Sequence, residues 1–522
     1  MSHPALPRAA VVLFVAWYAV CGDSVGTPAK PAIGFSGTIG FSMMRIVRSS
    51  AVTPLDNDKV RFLEGAWIES FNGNLGAIVT VSPRLRFSTG LGGSVWSPAQ
   101  TKLQREDFLG RRENAWISSA CAILVLGNPD RPAAEVTGGF FGFNTSPDAQ
   151  VFGGYLYRSG CYPGYVFSGG ATAGLAGLRV RTDVLSPFSL NALATLELEY
   201  PYFDLTLGLV PAVDIGGFLE TAGGVVAYRV APADRGLTHP KRSSYINEKG
   251  DREYYTLAGT KLMARFTFDT RKAFGIQALG EQDLKLYAEA GLLGVKNYRA
   301  IEVASGQTGE IKTVGYEKRL DRMPVMAGFN WPTHPLLAHG ILPAATAAFL
   351  IALEPDTTWE TYDSTLLSQG IHEHEKAYAV DTATHREERG FAHKRYRPIA
   401  WGAASLAAGL GTFFLERVLG RPLRLDRIAI EFEYYRLPHE NHADFNGEPL
   451  PPLILDSDFE AEQDDFRWGL VATKTIMERF SVGFKAASDH FRTPNEFGWF
   501  RPEERILATD EWYWEFTLGV SF

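Results

Sequence analysis

The chain has 522 residues, with 51 Lys and Arg against 59 Asp and Glu, giving a net charge of −8. That balance excludes a nucleic-acid partner recognised through a dominant basic surface, and three cysteines exclude a disulfide framework. A 45% hydrophobic content and a mean hydropathy of −0.08 fit a soluble protein. They fit equally a barrel whose wall alternates between apolar and polar faces.

The first 22 residues read as a secretory signal. Arg8 supplies a positive start, residues 9–20 (AAVVLFVAWYAV) are apolar, and cleavage is expected near Cys21 or Gly22. The apolar run is too short to span a bilayer. Lipidation of Cys21 is the alternative, against which Val20 stands where a lipoprotein signal carries a small residue.

Beyond the signal, period-2 alternation predicts strands at 33–47, 66–81, 85–96, 112–127, 133–144, 166–181, 188–200, 202–212, 214–229, 252–269, 282–298 and 321–331. Four more follow at 423–437, 465–478, 480–492 and 511–522. Within them Leu262, Ala264, Phe266 and Phe268 alternate with Lys261, Arg265 and Asp269, and Ile428, Ile430 and Phe432 alternate with Arg427, Glu431 and Glu433. Charges between strictly apolar neighbours are costly in a sandwich core but face water in a barrel. The expected fold is therefore all-β: a transmembrane, antiparallel, up-and-down β-barrel of about sixteen strands (range about 14–18).

Turn chemistry fits this reading. Ser82-Pro83-Arg84, residues 128–132 and residues 477–480 make short connections on one side, while 97–111, 145–165, 230–251, 299–320, 438–464 and 493–510 make long ones on the other. Residues 332–422 break the alternation. Residues 335–353 and 399–415 are Ala- and Leu-rich, which predicts an α-helical insert over 334–421 on the short-turn side. Barrel strands 1–12 thus occupy 23–333 and strands 13–16 occupy 422–522. The insert has three competing readings: a plug, a helix pair beside the barrel in lipid, or an arm that binds a partner.

Few patterns carry chemistry. His372 and His374 lie two apart, not at the i, i+4 spacing of a helical zinc site, so no metal site is expected. The acidic stretch 456–465 lacks the EF-hand spacing. No nucleophile elbow, P-loop or dinucleotide fingerprint occurs, so neither a cofactor nor an enzymatic activity is expected. Residues 153–164 (GGYLYRSGCYPG) are the densest mixture of aromatic, Gly and Arg outside the strands. Tyr155, Tyr157, Arg158 and Tyr162 fold inward as a constriction in one reading and close the barrel mouth as a packed loop in another.

The chain ends on EWYWEFTLGVSF, with Trp512, Trp514, Phe516, Leu518, Val520 and Phe522 on one face. This strand resembles the terminal insertion signal of bacterial outer-membrane β-barrels. Residues 259–268, 283–298 and the 153–164 loop look like those of uncharacterised porin-like barrels. The resemblance implies the outer membrane of a Gram-negative envelope, contact with its lipids, and barrel assembly machinery during insertion; oligomeric state stays open. A channel for small polar solutes is the first functional expectation, lined by Lys261, Arg265, Asp269, Lys285, Glu289, Glu431, Glu433, Lys485 and Asp489 in a field of mixed sign. A surface anchor or envelope-assembly barrel is the second, and an outer-membrane hydrolase the third.

Overall fold

Antiparallel pairing runs from strand to strand and closes on itself. The computed structural model describes residues 31–49, 64–96, 112–157, 172–197, 203–233 apart from 232, 259–295 apart from 278, 323–334, 424–435, 466–491 apart from 490, 506 and 508–522. It also describes four three-residue strands and helical residues within 406–418.

Sixteen strands form the closed barrel. In chain order they are β1 (Ala32–Arg48), β2 (Trp67–Ser82), β3 (Leu85–Trp96), β4 (Arg112–Asn128), β5 (Arg131–Asn144), β6 (Thr172–Thr182), β7 (Phe188–Leu196) and β8 (Leu205–Ile215). The second half is β9 (Leu219–Ala231), β10 (Gly259–Asp269), β11 (Lys285–Leu292), β12 (Val325–Asn330), β13 (Arg427–Tyr434), β14 (Phe466–Ile476), β15 (Phe480–Ser488) and β16 (Trp512–Ser521). Each pairs with its sequence neighbour, and β16 returns to β1 in register from Thr38↔Ser521. Phe522 completes the seam: its N–H donates to the Gly37 carbonyl at 3.0 Å and its carbonyl accepts from the Gly37 N–H at 2.9 Å.

The alternation seen in sequence becomes two faces. Phe35, Phe71, Leu91, Phe266, Leu286, Phe432 and Leu518 are exposed on the outside, while Lys261, Met263, Tyr287, Glu289, Glu431 and Tyr513 are buried on the inside. Short turns gather at one end. The Ser82 Oγ accepts from the Leu85 N–H at 3.1 Å, Asn128 Oδ1 from the Asp130 N–H at 3.1 Å, and Asp214 Oδ1 from the Gly217 N–H at 2.9 Å. Asp269 caps a five-residue helix, Thr270–Phe274, which ends on Gly275 at φ 65°.

One strand of the sequence reading changes its start. The tenth strand, expected from 252, begins at Gly259. Residues Arg252–Tyr254 instead pair with Ser244–Ile246 in a separate hairpin within the long connection, and Glu302–Ala304 pairs with Ile311–Thr313 in another. Runs of three residues are too short for periodicity to assign to the wall or to a loop. Most of the expected insert, including His372 and His374, lies outside the described residues, as do the signal with Cys21, the acidic stretch 456–465 and Cys161. Of the insert, helical residues are described within 406–418, where Leu406, Leu410, Phe414 and Val418 are exposed at helical spacing. No helix among the described residues is long and apolar enough to cross a membrane.

Candidate functional site: a segment clamped across the bore

After Asn144 the chain does not stay at the barrel rim. Residues 145–157 turn inward, and nine of the thirteen are buried. They leave β5 and reach side chains on β10, β11 and β13 and the backbone of β14 at Gly469. Counting round the barrel, β14 is nine strands from β5 of sixteen, so the segment crosses close to a diameter.

Two buried carboxylates hold it. Glu431, on β13, accepts the Gln150 N–H at 2.6 Å, the Val151 N–H at 2.8 Å and the Phe152 N–H at 3.0 Å. Glu289, on β11, accepts the Gly154 N–H at 3.0 Å, the Tyr155 N–H at 2.8 Å and the Ser146 hydroxyl. Consecutive amides converge on one carboxylate only where the backbone curls. Gly153 and Gly154 supply that curl at φ 82° and 70°, a left-handed region costly for other residues. The effect is an anion nest built by the segment around side chains of the wall.

The clamp also depends on the strand between the two glutamates. Tyr287 and Glu431 both stand opposite Gly328 in the register, and the Tyr287 hydroxyl reaches Glu431 at 2.8 Å over that glycine. A Cβ on Gly328 would meet the Tyr287 ring. Three further wall glycines make room for segment side chains. A Cβ on Gly291 would lie 2.7 Å from the Tyr155 Cβ, one on Gly469 2.7 Å from Val151 Cγ2, and one on Gly224 2.6 Å from Leu156 Cδ2. Lower down, Asp148 accepts the Thr267 hydroxyl at 2.9 Å and pairs with the Lys285 ammonium at 3.4 Å. The Tyr155 hydroxyl donates to Glu433.

The remaining sequence-derived residues sit around this clamp. Lys261 is buried with its Nζ 5.2 Å from the centre of the Tyr228 ring, Arg265 pairs with Glu220, and Asp269 is engaged as a helix cap. Lys485 pairs with Asp489 at 2.6 Å, and Asp489 also accepts the Tyr513 hydroxyl at 3.0 Å. Tyr155 and Tyr157 lie inside the barrel, with Tyr157 packed edge-on to Phe143 at 5.4 Å between centroids. Arg158 and Tyr162 lie outside the described residues. Sequence reasoning missed Ser146, Asp148 and Gln150, polar residues in a loop with no periodicity to place them, although the Gly153-Gly154 doublet marked a bend.

The segment divides the interior into unlike arcs. Along β1–β4 the polar contacts include Ser42 with Ser70 at 2.8 Å and Ser118 with Asn74 at 2.9 Å, beside the Arg86–Glu135 pair at 3.5 Å that joins β3 to β5. Along β5–β10 lies a cavity of about 230 Å3, whose lining includes Arg179, Arg181, Arg265, Asn191 and Glu220.

No family model and no curated protein matches this sequence. Solved structures do. An OmpF of Salmonella typhi, in a complex with daunomycin, covers 94% of this chain and 97% of its own at 8% identity and a TM-score of 0.40. A triple mutant of the Rhodopseudomonas blastica porin covers 94% of this chain and 100% of its own at 7% identity and a TM-score of 0.37.

Proposed function

We propose that this protein is an outer-membrane channel for small polar solutes, with residues 145–157 as its constriction. The observation that carries the reading is the segment itself. A barrel of sixteen strands is wide enough for an aqueous bore, and among the described residues that bore is crossed by a strap fixed at Glu289 and Glu431. The exposed apolar outer face, from Phe35 through Phe266 to Leu518, suits lipid. The short-turn end, which holds both strand termini, is assigned to the periplasm.

On this reading Lys261, Glu289, Glu431 and Glu433 shape the constriction from behind, while Arg265, Lys285 and Lys485, which retain some exposure, border the water path. Reconstitution of the folded chain into a planar bilayer tests it. Stepwise conductance that persists in the presence of a soluble bait for envelope partners supports a channel. A correctly folded barrel with no conductance, with or without residues 334–421, overturns it in favour of an anchoring or assembly role.

A further inference from the structure

We infer that the β5–β10 arc of the interior is a binding slot for anionic solutes bearing a carboxylate or phosphate group. The inference deepens the channel reading by naming a solute class, and it rests on a different set of residues from the clamp. Arg179 is the centre of the slot. Its Nε–H donates to Asn191 Oδ1 at 2.9 Å, and its guanidinium lies 5.4 Å from the centre of the Phe143 ring. Those two contacts fix the plane of the guanidinium. They leave its terminal nitrogens with no protein partner among the described residues, and no carboxylate lies within ion-pair distance of it there.

The neighbours reinforce the sign. Arg181 follows on the same strand face; it pairs with Asp183 at 2.9 Å, and both side chains are half exposed, so water screens that pair. Arg265 is bound to Glu220, yet its buried Nε has no hydrogen-bond partner. A buried donor without an acceptor is costly, and an acceptor arriving in the cavity relieves that cost. Glu135, which pairs with Arg86 at 3.5 Å, completes the local charges. The excess is one positioned, unpaired guanidinium, and a planar guanidinium fork matches carboxylate and phosphate oxygens two at a time. The cavity, of about 230 Å3, has room for a small solute. On the opposite arc Ser42, Ser70, Asn74 and Ser118 offer neutral hydrogen bonds, and the inward Arg86 there is already paired with Glu135.

The test uses the full folded chain and two independent readouts: reversal potential in a potassium chloride gradient, and calorimetric titration with inorganic phosphate in detergent. Wild type is expected to favour chloride over potassium and to bind phosphate. Arg179→Gln is expected to weaken phosphate binding about fivefold, the scale of one unit-charge contact, and to shift the reversal potential towards the cation. Arg48→Gln, at an exposed pair with Asp510 on the rim, is the control and leaves both readouts unchanged. A conducting channel whose selectivity and phosphate binding ignore Arg179→Gln overturns the slot and leaves the channel standing. Phosphate binding lost in Arg179→Gln, in a protein that never conducts, supports the slot and overturns the channel. Absence of both signals in a folded wild type overturns both.

Discussion

Replacing Glu431 by Ala sets two sizeable terms against each other. Three backbone N–H groups, from Gln150, Val151 and Phe152, lose their acceptor, and a buried donor left unsatisfied costs about 1–3 kcal/mol. Staying docked therefore costs roughly 3–9 kcal/mol. Leaving the wall rehydrates those amides but exposes Val151, Phe152 and Tyr155, each now 1% exposed, at about 1.5–3 kcal/mol apiece. The two routes are of similar size, so the single variant is expected to exchange between docked and released segments. The double variant with Glu289→Ala removes the second clamp, tips the balance and releases the segment. Single-channel recording reads this as noisy, flickering current in Glu431→Ala and a larger steady conductance in the double variant. Limited proteolysis in detergent reads it independently, as new cleavage within 145–157. The wall ladders use neither carboxylate, so heat-modifiable migration should stay that of a folded barrel. A folded double variant with wild-type conductance, noise and cleavage pattern would refute the clamp.

Gly291→Val places a side chain against the Tyr155 Cβ, the rigid base of that residue and not its tip. Overpacking of this kind costs about 1–3 kcal/mol, and it should raise conductance as the glutamate variants do, whereas Gly34→Ala, with open space around it, should change nothing. Deleting Phe522 removes both hydrogen bonds to Gly37 at the β1–β16 seam; the yield of folded barrel in detergent refolding should fall while any barrel that closes conducts normally. Asp204→Ala removes the carboxylate that accepts from the Ala233 N–H at 2.8 Å and faces Arg229 Nη1 at 3.4 Å, both side chains of that ion pair being fully buried. Breaking a buried pair from one side costs about 3–5 kcal/mol, which a urea titration would show as a lower midpoint.

The wall was legible because lipid outside and water inside impose one rule on every strand. Phe266 and Arg265 cannot exchange faces without putting a charge in hydrocarbon, so a period of two survives in strands as different as β10 and β16. The turns were legible for the same reason: Ser82-Pro83 and Asn128 to Asp130 must reverse the chain within a few residues. The path of 145–157 was not legible, because its course is fixed by backbone amides. An N–H carries no residue identity, and any sequence there presents the same donors to Glu289 and Glu431. Only the Gly153-Gly154 doublet, needed for its positive φ, left a trace.

The charged inner face shows why composition of that face is a poor guide to selectivity. Glu289, Glu431 and Glu433 look from sequence like three negative charges in the water path. Their oxygens are taken up by the amides of Gln150, Val151, Phe152, Gly154 and Tyr155 and by the hydroxyls of Ser146, Tyr155 and Tyr287, so much of their field is compensated where it arises. Lys285 is likewise paired with Asp148, and Lys485 with Asp489. A count of inner-face charges on the β10–β16 side gives a mixed field, yet Lys285, Glu289, Glu431 and Glu433 among them are engaged in holding the strap. On the other side of that strap Arg179 is held only by Asn191 and the Phe143 ring, and the strand pattern alone ranked it no higher than any other inward arginine. If the proposed channel and slot hold, conductance and ion preference draw on different residues on different arcs of one wall, and variants of Glu431 and Arg179 should change them separately.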